Sequence, residues 1–423
     1  MLGCADTILQ GEKKQKNTFS FADFFHFDSV ATENAGVEVI TFEAFLKKEV
    51  MDGQMKNKET GKSVFPPNNR TNWDGVNRMS GKILDQWMRT FTTNPIWSFD
   101  DCLVGIPSRE GPEGPAKLEA MGKAIRENKP RPESFYGQPV PVDAAPLKRL
   151  REVVAHRKAP LCIYDDFYQK AKVLHLMGDN KSGARLLVHF YAFLFFEDWK
   201  ADLWTKRFVR DHLRYVDEIQ CAAARVVAAV RQKARENGDP EGNFDTFHIR
   251  RGDFQYKQTR VEAVEIYENV RDVLVENSTL YIATDERDKS FFDVFHKHYH
   301  VYFLDDFLDV LDGVNTNFYG MLDQRIASRG RTFVGCYFST FTGYINRMRG
   351  YHYQLEKKPG WEEGIMNSYY YIPKQNREAV RHYRPISPPM WAREFPIGWR
   401  DLDRGINDLA ELQKSREVER ELG

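Results

Sequence analysis

Phe247-His248-Ile249-Arg250-Arg251-Gly252-Asp253-Phe254 is a short apolar run that ends abruptly in two arginines, a glycine and an aspartate. A strand that delivers cations at its carboxyl end marks the place where α/β proteins hold anions. The arginine fork donates paired hydrogen bonds to oxygens, stays charged at any working pH and can neutralise a departing phosphate. Side chains alternate along a strand, so His248 and Arg250 share one side and Arg251 points to the other. Only one arginine is therefore expected to meet a ligand, and Arg250 is favoured. For Arg251 the plain alternative is a structural ion pair with Asp253 that caps the strand. The embedded Arg-Gly-Asp tripeptide is discounted as an adhesion signal, because it follows an apolar strand and not an exposed loop.

Beyond this stretch the pattern is regular. Strands are expected at 244–250, 280–283, 300–303 and 332–334, with helices at 261–276, 288–297, 317–329 and 340–349. Such alternation builds a parallel sheet with ligands at the carboxyl ends of its strands. Three of those ends are polar: His248 to Asp253, Thr284-Asp285-Glu286, and Ser339-Thr340-Phe341-Thr342. The last follows Gly335 and opens a helix, so its amides and hydroxyls can hold phosphate, and Ser339 or Thr340 can equally serve as the helix N-cap. Both roles are compatible, since a cap at a cleft has spare amides. Asp285 is expected to be the N-cap of its following helix in preference to a ligand contact. Asp323, within Met321-Leu322-Asp323-Gln324-Arg325, reads on composition as a surface carboxylate. In a nucleotide cleft it would accept N1–H and the 2-amino group of guanine and so reject adenine.

The first half is less regular. An alternating strand is expected at 36–42 with a short helix at 43–46, further strands at 161–164 and 173–176, and a helix at 117–127 inside the proline-rich region Pro107 to Pro146. Apolar residues recur at helical spacing from Asp198 to Ala234, read as two helices that bend near Tyr215 and bridge the halves.

The 423 residues, 42% of them hydrophobic, suffice for two domains. Sixty-one basic and 61 acidic residues cancel, so no net field draws in nucleic acid or an anionic membrane, and any anion site is local. Cys4, Cys102, Cys162, Cys221 and Cys336 form no Cys-x-x-Cys pair, which argues against zinc and iron–sulfur sites while leaving disulfides open. The polar stretch Met1 to Lys16 lacks the apolar core of a secretory signal, and the longest apolar run, Leu186 to Phe196, is about half a membrane span. Sequons at Asn69, Asn180 and Asn277 permit a secretory address without requiring one.

Taken together, His248-Ile249-Arg250-Arg251-Gly252-Asp253, Asp323-Gln324-Arg325-Ile326 and Phe333-Val334-Gly335 leading to Ser339-Thr340-Phe341-Thr342 resemble the GDP-fucose protein O-fucosyltransferase family. A weaker likeness lies at Phe19 to Phe25 and Val37 to Phe45, and the whole covers roughly residues 18 to 350. The resemblance implies a GT-B-like α/β fold with two Rossmann-type domains and the donor in the cleft between them. Residues 1–215 would form the amino-terminal, acceptor-side domain, 216–353 the GDP-sugar-binding domain, and 354–423 an extension with a terminal helix. It further implies that Arg250 is catalytic, neutralising the β-phosphate as the fucose bond breaks. His248, Arg250, Asp323, Ser339, Thr340 and Phe341 would bind the donor.

The implied reaction is inverting transfer of fucose from GDP-fucose to a protein serine or threonine hydroxyl, without cofactor or metal, in the lumen of the endoplasmic reticulum or Golgi. The family's opening strand and Gly-x-Asn loop find no counterpart before Phe19, so the amino-terminal domain is expected to be incomplete. That departure keeps a second reading open, an impaired GDP-sugar- or glycan-binding relative. A third is a related transferase with another acceptor.

Overall fold

The computed structural model describes residues 21–28, 30, 38–65, 86–94, 104–108, 113–127, 161–175, 194–197, 201, 212–252, 260–337, 339–361, 366–371 and 380–382. The chain divides into two compact units, Met1–Arg214 and Tyr215–Gly423. The stretch before Phe21 and the terminal helix expected in the extension, over 402–421, lie outside the described residues.

In the first unit, helix α1 (Phe42–Phe45) runs on into a wider turn at Leu46–Val50. The strand expected at 36–42 is not formed over Glu38 to Thr41. Thr41 instead starts the helix, its hydroxyl accepting the N–H of Ala44 at 3.1 Å and its carbonyl that of Phe45. The helix that follows buries Phe45, Leu46 and Val50 with Met55, Met88 and Phe91, and Ile40 and Phe42 pack against that cluster. Strands β1 (Val104–Ile106), β2 (Cys162–Ile163) and β3 (Leu194–Phe196) form a parallel sheet in the order β2-β1-β3. Helix α2 (Gly114–Arg126) follows β1, with Pro115 inside its first turn, where a missing N–H costs nothing. Helix α3 (Asp166–Gln169) follows β2. The strand expected at 173–176 reduces to a single bridge between Thr93 and Leu174. At the carboxyl edge of this sheet the buried Glu197 accepts the Ser108 N–H at 2.7 Å.

The second unit is the regular one. Helix α4 (Asp217–Glu236) leads into β4 (Asp245–Ile249), then α5 (Ala263–Val270), β5 (Thr279–Thr284), α6 (Asp293–His296), β6 (His300–Tyr302), α7 (Tyr319–Ala327), β7 (Phe333–Cys336) and α8 (Thr340–Leu355). Two more strands, β8 (Ser368–Tyr371) and β9 (Val380–His382), complete the sheet. The order is β6-β5-β4-β7-β8-β9, with only β9 antiparallel. Counted within the unit this is 3-2-1-4-5-6, the doubly wound order of dinucleotide-binding folds, and its direction reverses between β4 and β7.

The alternation expected along β4 is present. Phe247 and Ile249 pack with Ile266 and Val270 of α5, Phe295 of α6, and Leu280 and Ile282 of β5. Replacing Phe247 with Ala would cost about 3–5 kcal/mol at such a closed site. Thr246 and His248 face the opposite side, where Thr246 donates to the Ala327 carbonyl of α7 at 2.9 Å and His248 meets Thr342 of α8.

Candidate active site

The order reversal places the carboxyl ends of β4 and β7 side by side, His248 being paired with Gly335. A Cβ at Gly335 would lie 2.3 Å from the Thr342 methyl, so the absent side chain lets the first turn of α8 press against the sheet. That approach brings Oγ1 of Thr342 within 2.7 Å of Nδ1 of His248 and stacks Phe341 on the imidazole at 4.5 Å between centroids. Burial, with a further push from the Arg250 charge, lowers the His248 pKa to about 3, against the pull of Asp285. The ring is neutral at any working pH and acts as a hydrogen-bonding wall, not as a cation.

Ser339 is the N-cap of α8, accepting the Thr342 N–H, and it is buried, whereas Thr340 beside it is exposed. The first-turn amides of this 16-residue helix therefore open at the same edge as Arg250, as an anion site requires.

Arg250 stands one residue beyond β4 and is 36% exposed, its Nη1 3.0 Å from Oδ2 of Asp285. Arg251 turns the other way. It is 20% exposed, pairs with Glu286 at 3.2 Å and Glu262 at 3.4 Å, and lies over the Phe291 ring at 4.0 Å. The structural reading of Arg251 thus holds with different partners, Asp253 lying outside the described residues.

Asp285 is not the helix N-cap expected from sequence. Asp288 has that role, accepting from the Ser290 N–H and hydroxyl. Asp285 instead accepts the N–H groups of Arg251 at 2.7 Å and Gly252 at 3.0 Å.

Asp323, on α7, accepts the Tyr281 hydroxyl at 2.6 Å. Tyr281 is paired in register with both Thr246 and Tyr302, the last residue of β6, so the sheet's carboxyl edge steps down from β4 to β6. Asp323 occupies the lower step: it feels the charges of Asp305 and Lys289, which leave the ends of β6 and β5. Lys289 lies 3.5 Å from Asp305 and covers Phe303. Burial raises the Asp323 carboxyl to about 7, a shift the Tyr281 hydrogen bond only reduces. Thr246, His248 and Asp323 all face the α7–α8 side of the sheet, and Arg250 continues their alternation.

Sequence reading did not single out Tyr281 or assign Thr342 to the site. The signal for Tyr281 is a hydroxyl-bearing ring inside the otherwise apolar run Leu280 to Ala283.

A site on both sides of a Rossmann reversal, with an arginine, an acid and a helix start, fits a nucleoside diphosphate. The sequence model of the family described as GDP-fucose protein O-fucosyltransferase matches residues 6–352. The chain belongs to that family. Members of this fucosyltransferase family use GDP-fucose as donor.

Among solved structures, apo POFUT1 is 12% identical over 79% of this chain and 82% of its own, with a TM-score of 0.28. NodZ α-1,6-fucosyltransferase soaked with GDP-fucose is 14% identical over 59% of this chain and 93% of its own, at 0.26. The fucosyltransferase NodZ from Bradyrhizobium is 13% identical over 58% and 92%, also at 0.26. Likeness at this level adds no weight, and membership of the O-fucosyltransferase family rests on the sequence match. No curated protein matches the chain. Among the described residues, no group of His, Cys, Asp and Glu is arranged to hold a metal ion, and no helix is long and apolar enough to cross a membrane.

Proposed function

We propose that the second unit binds GDP-fucose along the carboxyl edge of its sheet and that the chain transfers fucose, with inversion, to a serine or threonine hydroxyl of a protein. The observation that supports this is that Arg250 and the start of α8 follow the adjoining strands β4 and β7 at the order reversal, with Asp323 held by Tyr281 of neighbouring β5, in a chain of this family. In this reading Asp323, ionised, accepts N1–H and the 2-amino group of guanine. Ser339, Thr340 and Phe341 line the nucleotide and diphosphate, and His248 closes the wall beside them.

The acceptor hydroxyl oxygen attacks C1 of fucose opposite the diphosphate, the C1–O bond breaks with its electron pair passing to the β-phosphate, and the hydroxyl proton is taken up by the departing phosphate. Arg250 and the α8 amides meet that charge without a metal, a contribution on the scale of about 3–4 kcal/mol for a single well-placed donor. The setting proposed is the lumen of the secretory pathway. The disulfide at Cys162 supports it, since such bonds persist in oxidising compartments.

Calorimetric titration of GDP into the chain, Arg250→Ala and Asp323→Ala tests the donor site, and equal affinity in all three removes it. With GDP-fucose present, label appearing on folded protein domains supports the protein acceptor. Label on free glycans alone moves the function to a sugar acceptor, and binding without turnover moves it to a donor-binding relative.

A further inference from the structure

Thr284, the last residue of β5, and the two residues after it form a clamp on the end of β4. Thr284 donates its hydroxyl to the Ile249 carbonyl at 2.8 Å and accepts the Glu286 N–H, while Glu286 holds Arg251. Between them, Asp285 gathers three donors: the Arg251 and Gly252 amides and the Arg250 guanidinium. The turn is wrapped so closely that a Cβ at Gly252 would fall 2.3 Å from Oδ2 of Asp285, which is why glycine follows the two arginines.

Two acids thus hold two arginines, with different consequences. The Arg251–Glu286 pair is mostly covered, at 20% and 22% exposure, against Phe291. The Arg250–Asp285 pair is more open, at 36% and 30%, on the side continued from His248. A guanidinium has five N–H donors, and the contact with Asp285 is made at Nη1.

We infer that Asp285 is the positioning residue for the diphosphate end of the donor site, fixing both the β4 turn and the Arg250 fork before the nucleotide arrives. This rests on the donor-site reading above. A fork held in place loses less freedom on binding than one that must be recruited from solvent. Asp285 acts through Arg250 and has no bond to the base, so its influence is confined to the phosphate end.

The test measures the affinity of the full chain for GMP and GDP by calorimetry, in the wild type, Arg250→Ala, Asp285→Ala and the double variant, with Asp285→Asn as the conservative change. The expected result is a GDP-over-GMP preference that falls roughly tenfold in Asp285→Ala. Asp285→Asn, which keeps one acceptor oxygen, should fall less, and the double variant should be no weaker than Arg250→Ala. GMP affinity should be unchanged throughout.

A merely structural role would lower GMP and GDP affinity in proportion, together with the melting temperature, and that outcome overturns the inference. So does a preference left at its wild-type value in Asp285→Ala while Arg250→Ala loses it, a result that leaves the donor site standing. A wild-type chain without GDP affinity, or an Arg250→Ala variant with an unchanged preference, removes the donor-site reading itself and this inference with it.

Discussion

The two edges of the second unit's sheet use the same side chains to opposite ends. At the amino edge, Arg349 is 1% exposed. It donates to the carbonyls of Ser328, Gly330, Arg331 and Asn367 and to the Ser368 hydroxyl. Close by, the fully buried Asp245 accepts two bonds from Arg331, one from the Thr332 N–H and one from the Ser278 hydroxyl. These groups have their donors and acceptors spent on loops that enter the strands. At the carboxyl edge, Arg250 is partly exposed and held by Asp285, the first turn of α8 opens beside it, and Asp323 is held by Tyr281. A satisfied polar network specifies structure, whereas one with spare donors and acceptors can receive a ligand.

Removing the amino-edge arginine should have the largest effect. Arg349→Met strips donors from several buried acceptors and is expected to cost roughly 3–5 kcal/mol in urea unfolding. GDP affinity of the folded fraction should be preserved. Arg250→Ala is the mirror case: turnover of GDP-fucose should fall about 10²–10³-fold with an unchanged melting temperature. If both variants behave alike, the division between the edges is wrong.

The next comparison is by pH. In the proposed site guanine offers two donors, which an ionised Asp323 would accept. With its carboxyl raised to about 7, GDP affinity should weaken below pH 7, approaching tenfold per unit, and Asp323→Asn should lose that slope. The same shift makes the ionised group a liability to the fold. A folded-state pKa above the unfolded one gives stability that is present at low pH and lost as pH rises through about 7. Asp323→Asn should therefore raise the melting temperature at pH 8 while weakening GDP binding.

The last effect is opposite in sign. His248 at one edge and His352 on α8 are both lowered to about 3 by burial. The unfolded chain takes up protons near pH 6.5 that the folded one refuses, so their contribution falls as pH drops from 6.5 toward 3. Replacing either with Gln should flatten the acid limb of a stability curve, and only His248→Gln should also alter GDP binding.

Much of the carboxyl edge was legible in the sequence because strand alternation is a local rule: it separated Arg250 from Arg251 and set His248 beside the former. The parallel sheet followed from alternating strands and helices, whereas its order, which sets β4 beside β7, came only with the fold. Asp285 was misread because a polar residue between a strand and a helix is commonly a cap. Only the fold of the chain shows the Arg250-Arg251-Gly252 turn closing on it from 33 residues away. The contact between His248 and Thr342 spans 94 residues and depends on the gap at Gly335. The strand expected near Val39 failed for the converse reason. A short apolar alternation is ambiguous, and Glu38 to Thr41 instead lead as irregular chain into the helix whose Phe45 and Leu46 pack against Met55, Met88 and Phe91.

The last two strands have a practical consequence for anyone cutting the gene. The family match stops at residue 352, yet β7 is flanked by β8 from Ser368 onward and the sheet is finished only by β9 at 380–382. A recombinant fragment ending at the match boundary would leave Phe333-Val334-Gly335-Cys336 as a naked apolar border with a row of unanswered amides and carbonyls. Such a border invites another molecule's backbone to dock, and that fragment should precipitate where one extending past His382 stays dispersed.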